Sequence, residues 1–386
     1  MAASGWRLGR LGESAVRLCF AAGAAVLALA SLWWALLHWR LWAGGAAEAE
    51  VGLPAVVAHA ALMGLGFFPL FFAGFMATTG AQWLGRPPPP VRWLWPGVGL
   101  ALAGALTLWA AWAGPAAWAA SLAGLGLTAM ALAWSAWLLV FARLCWLGTR
   151  RRHAIGLLVS ALLGALALWW AAGAAWAGDW GRLLAVARAA VWGFAGASFL
   201  AAGHRMVPFL SASPSRRWPV GVVLPFVLPF MLLLALGVQA LAALGLNLGI
   251  WGRGFSLGAG VALLALALAW ARVQSLRPRL LAMLFAGFVW LGLTLVLAGW
   301  QGGALGLHAF AMGFMGSTML AMLSRVAAMQ AGVHVVADRL LWRLFLLLQL
   351  AVVCRLAGSL ALAATLWAGV WLAWALRYGR WLGLPK

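Results

Sequence analysis

The chain has 386 residues, of which 66% are hydrophobic and only 8% charged, and its mean hydropathy is +1.02. Soluble domains are about half apolar, so this composition excludes a soluble protein and predicts a single membrane domain over residues 1–386. The net charge of +21 does not indicate a nucleic-acid partner, because the basic residues form short clusters between apolar runs and cannot assemble one basic face. The expected partner is a lipid bilayer.

Apolar runs long enough to cross a bilayer recur along the whole sequence. A hydrocarbon core about 30 Å thick needs roughly 20 helical residues, and cutting the runs at charges, prolines and glycine-rich breaks gives twelve segments. The sequence therefore predicts an all-α, polytopic membrane bundle of about twelve transmembrane helices, over residues 15–37, 51–80, 94–113, 116–142, 154–177, 182–208, 220–246, 250–271, 280–300, 304–328, 340–356 and 358–378.

The placement of basic residues predicts the orientation of these segments. With the N-terminus inside, all but five of the 26 Lys and Arg residues fall in cytoplasmic loops or ends, as the positive-inside rule requires. Both termini are therefore predicted to be cytoplasmic. The five basic residues on the outer side are Arg40, Arg182, Arg188, Arg253 and Arg355.

Tryptophan occurs 29 times, often close to a predicted segment end. There an amphipathic ring anchors at the membrane interface, which is the role expected for Trp33, Trp34, Trp39, Trp93, Trp95, Trp180, Trp251, Trp300 and Trp381. Small residues recur at spacings that let helices approach closely, for example Gly313 and Gly316 in the tenth segment. A compact bundle is expected.

Histidines inside the membrane are the first candidates for function, because polar groups are costly there. His59, His204 and His308 lie in the second, sixth and tenth segments, and the remaining three lie at segment ends or in loops, where an interfacial role is expected (His38, His153 and His334). His59 opens the run HAALMG and His308 opens HAFAMG. Both segments run from outside to inside, and both histidines lie about 8 to 12 Å below the outer end at 1.5 Å per residue.

Two imidazoles at one depth allow two interpretations. Helical bundles commonly hold an iron porphyrin between inward-facing imidazoles, which makes His59 and His308 candidate axial haem ligands. The alternative is a pair of histidines that hydrogen-bond between helices. Arg188 lies at the same level, about 9 Å inside the outer end of its segment. A haem propionate, Asp179 or the membrane surface would each balance its charge.

Other candidate metal ligands follow in the same segments. After His308, methionines at steps of four, three, four and three share one α-helical face, namely Met312, Met315, Met319 and Met322. Thioethers suit Cu(I) or a haem axial position, whereas a methionine face also serves as adaptable packing. His204 is too deep to share a porphyrin with His59 and His308. It either binds a second metal or hydrogen-bonds near the cytoplasmic surface.

Three stretches carry a family resemblance: FFPLFFAGFMATTGAQWLGRPP (67–88), GHRMVPF (203–209) and HAFAMGFMGSTMLAMLSRVAAMQAG (308–332). Together with the twelve segments they resemble the NnrS family of bacterial inner-membrane proteins, described as containing haem and copper and as associated with nitric oxide metabolism and stress. The resemblance implies a haem protein of the bacterial cytoplasmic membrane that binds a diatomic ligand or transfers electrons in a nitric oxide response. Many members carry a second histidine and a glutamate where this chain has Ala61 and Leu62, a departure that concerns the implied copper site.

The spacing by four of the second, sixth and tenth segments suggests three four-helix units. This plan is similar to that of haem-copper oxidases, where helices 2 and 10 hold a low-spin haem. The seventh segment lacks the adjacent histidines of an oxidase copper centre, so catalysis at a binuclear site is not supported and enzymatic turnover is left open. Two other classes remain: a small-molecule transporter, not expected to be ion-driven because the segments hold no acidic residue, and an assembly or structural partner of respiratory complexes.

Overall fold

Helices form every long element of the computed structural model, which describes residues 5–44, 52–149, 152–206, 224–246, 248–273, 275–333 and 337–385. We number the long helices in chain order: α1 Ala15–Trp42, α2 Ala55–Trp83, α3 Trp95–Ala113, α4 Ala116–Leu147, α5 Arg152–Trp176, α6 180–206, α7 Leu224–Ala243, α8 Gly249–Val273, α9 Arg279–Trp300, α10 Gly303–Gln330, α11 Arg339–Leu356 and α12 Leu360–Arg377. The order of these helices follows the predicted segments.

Ten helices of the described chain are long and apolar enough to cross a membrane. The two others are α7, whose apolar part Val227–Ala243 is shorter, and α11, which carries Arg339, Arg343 and Arg355 among its 18 residues. An all-helical, multi-pass membrane protein is thus confirmed, while the count of twelve crossings stays a prediction. The largest boundary differences are at the ends of α1 and α4, which each continue five residues past the predicted end because one exposed arginine, Arg40 or Arg143, does not stop a helix.

Helix starts and ends follow local sequence rules. Polar side chains cap three N-termini by accepting a backbone N–H: Ser14 at α1, Asp179 at α6 and Asp338 at α11. Such caps satisfy N–H groups that have no partner within the helix. Several helices end just before a glycine with positive φ, among them Gly178 after α5 (φ 65°) and Gly358 after α11 (φ 85°), a conformation that glycine adopts without a steric penalty.

The two ends of the chain meet at one end of the bundle, which we call the terminal end. The backbone N–H of Arg7 donates to the carbonyl of Gly383 at 3.1 Å. Arg17, only 3% exposed, donates to the carbonyls of Leu382 (2.8 Å), Leu384 (2.7 Å) and Gln330 (2.7 Å). The chain therefore begins and finishes on the same side of the bundle. Which side of the membrane that is stays a prediction.

Helices α1, α2, α6 and α10 form the interior of the bundle. In their most apolar stretches 67–78% of the residues are buried inside the protein, whereas in α8 the share is 28%. Helix α2 packs on α1, α3 and α6, helix α6 packs on α5 and α7, and helix α10 packs on α9 and α11. The second, sixth and tenth helices are thus each enclosed by neighbours.

These same three helices contain π-helical segments, in which one extra residue is inserted into the helix. They are Leu62–Gly66 and Met76–Gly80 in α2, Val191–Gly196 in α6, and Ala309–Met315 in α10. Short π segments occur frequently at functional sites. The first π segment of each helix begins one to three residues after His59, Arg188 or His308.

The π segments bring the inner helices into contact with one another. Trp192 of α6 stacks on Phe310 of α10, with ring centroids 4.5 Å apart and planes at 23°. At Gly64 of α2 an added Cβ would lie 3.0 Å from the carbonyl oxygen of Ala187 and 3.2 Å from the side chain of Val191. Close packing at this level therefore fixes α2 and α10 against α6.

Candidate cofactor-binding site

His308 lies in the first two turns of α10, at the distal end of the bundle, opposite the terminal end. Its Nδ1 is 2.7 Å from the carbonyl oxygen of Ala304, one turn earlier. A carbonyl oxygen only accepts hydrogen bonds, so Nδ1 carries the proton and Nε2 keeps its lone pair. Metal-binding histidines commonly donate their second ring nitrogen to a carbonyl in this way, which fixes tautomer and orientation. Nε2 of His308 is therefore the ring nitrogen left free to accept or to bind.

His59 lies at the corresponding place in α2, but its surroundings differ. Its Nδ1 is buried and has no hydrogen-bond partner. Buried polar atoms in proteins are almost always hydrogen-bonded, so an exception needs an explanation. The ring of His59 instead stacks on the indole of Trp34, with centroids 4.0 Å apart and planes at 16°. An aromatic surface, rather than a hydrogen bond, orients this imidazole.

Trp34 links α1 to this site. One face of its indole covers His59, and His38, one turn further along α1, packs edge-on against it with centroids 4.7 Å apart and planes at 87°. The ring also packs against a small apolar cluster that includes Ala364 and Ala368 of α12. The interfacial role predicted for Trp34 stays a prediction, and the structure adds that its ring lies against His59.

His59 and His308 lie within electrostatic range of each other, and Arg355 lies within that range of both of them and of His38. Arg188 is in range of His308. The structure therefore places His308 near both His59 and Arg188, the other two residues that the sequence singled out for a haem site. It adds His38, which the sequence placed at an interface, and Arg355, which it treated only as an outer-side charge.

The two arginines of this cluster are half-buried, and within the described chain neither forms an ion pair or a hydrogen bond. Asp179, which the sequence offered as a partner for Arg188, instead accepts from the backbone of Arg182 and forms an ion pair with its side chain at 3.3 Å. Unpaired cations at membrane depth are costly. We call His59, His308, Arg188 and Arg355 the distal cluster. Its two unpaired arginines give it an excess positive charge that a bound anion would neutralise.

The four methionines after His308 all lie in the apolar core of the bundle or pack against it. Met312 and Met315 lie inside the π segment of α10, and the extra residue of a π segment rotates side chains away from α-helical spacing. Met312 is half-buried, while Met315 and Met319 are buried in the core. His204, the remaining candidate ligand, has a side chain outside the described residues.

A short motif shared by the two helices identifies His59 and His308 in the sequence. The residues that surround these histidines lie outside that motif and were not predicted. Trp34 and His38 stand four residues apart on α1, which places them on one face of a helix, and Arg355 is a lone cation after an apolar run. The spacing of Trp34 and His38 and the isolated charge of Arg355 are visible in the sequence. No local motif, however, connects α1 or α11 with the two histidines. Contacts between distant helices supply that connection.

The family described as NnrS protein matches this chain over residues 11–386. That match covers essentially the whole chain, including every helix and the distal cluster. Neither a curated protein nor a solved structure matches the chain.

Proposed function

Because this chain belongs to the NnrS family, we propose that it is a haem protein of the bacterial cytoplasmic membrane that binds a diatomic ligand such as nitric oxide, or transfers electrons, in a nitric oxide response. The observation that supports this proposal best is the distal cluster, in which two imidazoles and two unpaired guanidinium groups lie together. The family resemblance supplies the link to haem and nitric oxide.

The chemistry of the donor set fits a haem. A porphyrin supplies four nitrogen ligands of its own, so the protein needs to add only one or two imidazoles. His308 offers Nε2, because its Nδ1 donates to a carbonyl, and His59 offers an imidazole whose Nδ1 has no hydrogen-bond partner. When bound, a haem would supply an iron atom that binds small ligands and exchanges electrons.

Arg188 and Arg355 fit the other end of the same cofactor. Haem propionates are anionic, and guanidinium groups pair with carboxylates through strong, directional hydrogen bonds. A cation within a membrane is costly to leave unpaired, so an anionic propionate beside these arginines would be favourable. In the proposed function the arginines orient the cofactor, and His59 and His308 bind it.

Copper requires a different kind of site, because a bare metal ion takes three or four ligands from the protein. Within the described residues no three His, Cys, Asp or Glu side chains are grouped to hold a metal ion. We retain His204 and Met312 as the candidates from the sequence. The proposal for haem does not depend on them.

The proposal is tested by the visible spectrum of the full-length protein, purified in detergent after expression with ample haem. We expect a Soret band that His308→Ala abolishes and His59→Ala weakens or shifts. His204→Ala is the matched control and should leave the band unchanged. A purified, folded protein without a Soret band would contradict the proposal, and so would an unchanged spectrum in both the His59 and His308 variants.

A further inference from the structure

We propose that the two candidate ligands are unequal: His308 is the permanent ligand, and His59 is the exchangeable one, which leaves to make room for a diatomic ligand. Trp34 is the positioning residue that holds His59 in place until then. This inference rests on the proposed function. Beyond the proposed function, it states which of the two histidines would exchange for a ligand and which residue controls that exchange.

The permanent role of His308 follows from its hydrogen bond. Donation from Nδ1 to the Ala304 carbonyl at 2.7 Å holds the ring in one orientation and makes Nε2 a stronger electron donor. The acceptor belongs to the backbone of the same helix, so the ring cannot turn away without breaking this bond. Outer hydrogen bonds of this kind change metal affinity by about 10- to 100-fold.

His59 lacks every one of these restraints. Its buried Nδ1 has no acceptor, so no hydrogen bond strengthens its donation or must be broken when the ring moves. The contact that orients it is the parallel stack on Trp34, and an imidazole can slide or tilt across an indole face while remaining in contact with it. His59 is therefore the weaker and the more mobile ligand.

Trp34 itself is fixed, which makes it suited to a positioning role. His38 packs against the indole from within α1, and the α12 residues Ala364 and Ala368 belong to the cluster on which it packs. A fixed indole limits how far His59 can move and returns it to one orientation. In a haem-loaded protein the exchange would replace the bond between a His59 nitrogen and iron by a bond between the diatomic ligand and iron, with no transfer of a proton or an electron.

The first experiment compares haem retention and coordination in His59→Ala and His308→Ala, using the full-length protein. We expect His59→Ala to keep its haem as a five-coordinate, high-spin species visible in absorption and electron paramagnetic resonance spectra. We expect His308→Ala to lose at least about tenfold more haem affinity than His59→Ala. Equal losses, or retention only in His308→Ala, would overturn the inference while leaving the haem assignment intact. A wild-type protein without haem would instead contradict the proposed function.

The second experiment tests Trp34 by the rate at which carbon monoxide binds the reduced protein. Trp34→Leu removes the aromatic face that orients His59 and should accelerate binding by about tenfold, the lower end of the change in metal affinity on loss of an outer contact. Trp34→Phe keeps an aromatic face and should restore a rate near that of wild type. Trp39→Leu is the matched control, because Trp39 is exposed on the same helix and hydrogen-bonds Thr365 instead. Equal rates in Trp34→Leu and wild type, at unchanged haem content, would refute the positioning role.

Discussion

Arginines at the two ends of the bundle differ in whether the protein supplies hydrogen-bond partners for them. At the terminal end, Arg17 is buried and its guanidinium donates to three backbone carbonyls and, at 3.4 Å, to the amide oxygen of Gln330. At the distal end, Arg188 and Arg355 are half-buried and form no ion pair or hydrogen bond within the described chain. The fold thus supplies partners for a cation that holds the structure together. It supplies no such partner for Arg188 and Arg355 within the described residues, which is where the proposed haem propionates would bind.

The largest effect is expected when Arg17 is changed to Met. The variant leaves the carbonyls of Leu382, Leu384 and Gln330 without a donor, so we expect a loss of about 3–5 kcal/mol in stability. Thermal unfolding in detergent measures it. Arg253→Met, at an exposed position, is the control and should change stability little. If both variants unfolded at the same temperature, the terminal contacts would not be a stabilising feature.

A smaller loss is expected from Gly64→Ala, where the new methyl group would press against the Ala187 carbonyl and Val191. Overpacking of this kind costs about 1–3 kcal/mol, and it should also shift α2 against α6 and alter the haem spectrum. Gly66→Ala is a close control, because its Cβ would lie 3.6 Å from Val26, an ordinary contact. Equal unfolding temperatures and spectra in the two variants would show that close packing at Gly64 does not hold α2 against α6.

At the distal end, Arg355→Gln and Arg188→Gln should each lower haem affinity by about tenfold, the value of one charged hydrogen bond, with little effect on unfolding of the haem-free protein. Haem titration of the purified variants measures this. Arg253→Gln controls for loss of an outer-side charge. A strong destabilisation of the haem-free protein would show instead that these arginines have structural partners, as Arg17 does.

The smallest effect is expected from Asp179→Asn. Asparagine caps a helix about as well as aspartate, so only the exposed ion pair to Arg182 is lost, a change of about 0.5 kcal/mol or less. Thermal unfolding and the haem spectrum should both remain near wild type. A clear change in the spectrum would mean that Asp179 acts on Arg188 after all.

The sequence predicted the helices well because a bilayer imposes a strong requirement on length and apolarity. It could not predict the π segments, since one inserted residue leaves no mark in an apolar run. The histidines were identified by their shared motif, yet the stack on Trp34 and the position of Arg355 depend on how α1 and α11 pack against the inner helices. Packing between helices far apart in sequence determines these features, and composition does not encode it.

The meeting of the two chain ends has a consequence for biosynthesis. Helix α1 is made first and α12 last, and proteins emerge from the ribosome N-terminus first. The two helices pack on each other, and Arg17 reaches carbonyls within the last five residues of the chain. An inserted α1 therefore lacks one of its two main packing neighbours until α12 has been synthesised. A chain truncated before α12 would leave the buried guanidinium of Arg17 without the carbonyls of Leu382 and Leu384, and such a chain would pay the cost of an incompletely paired buried cation.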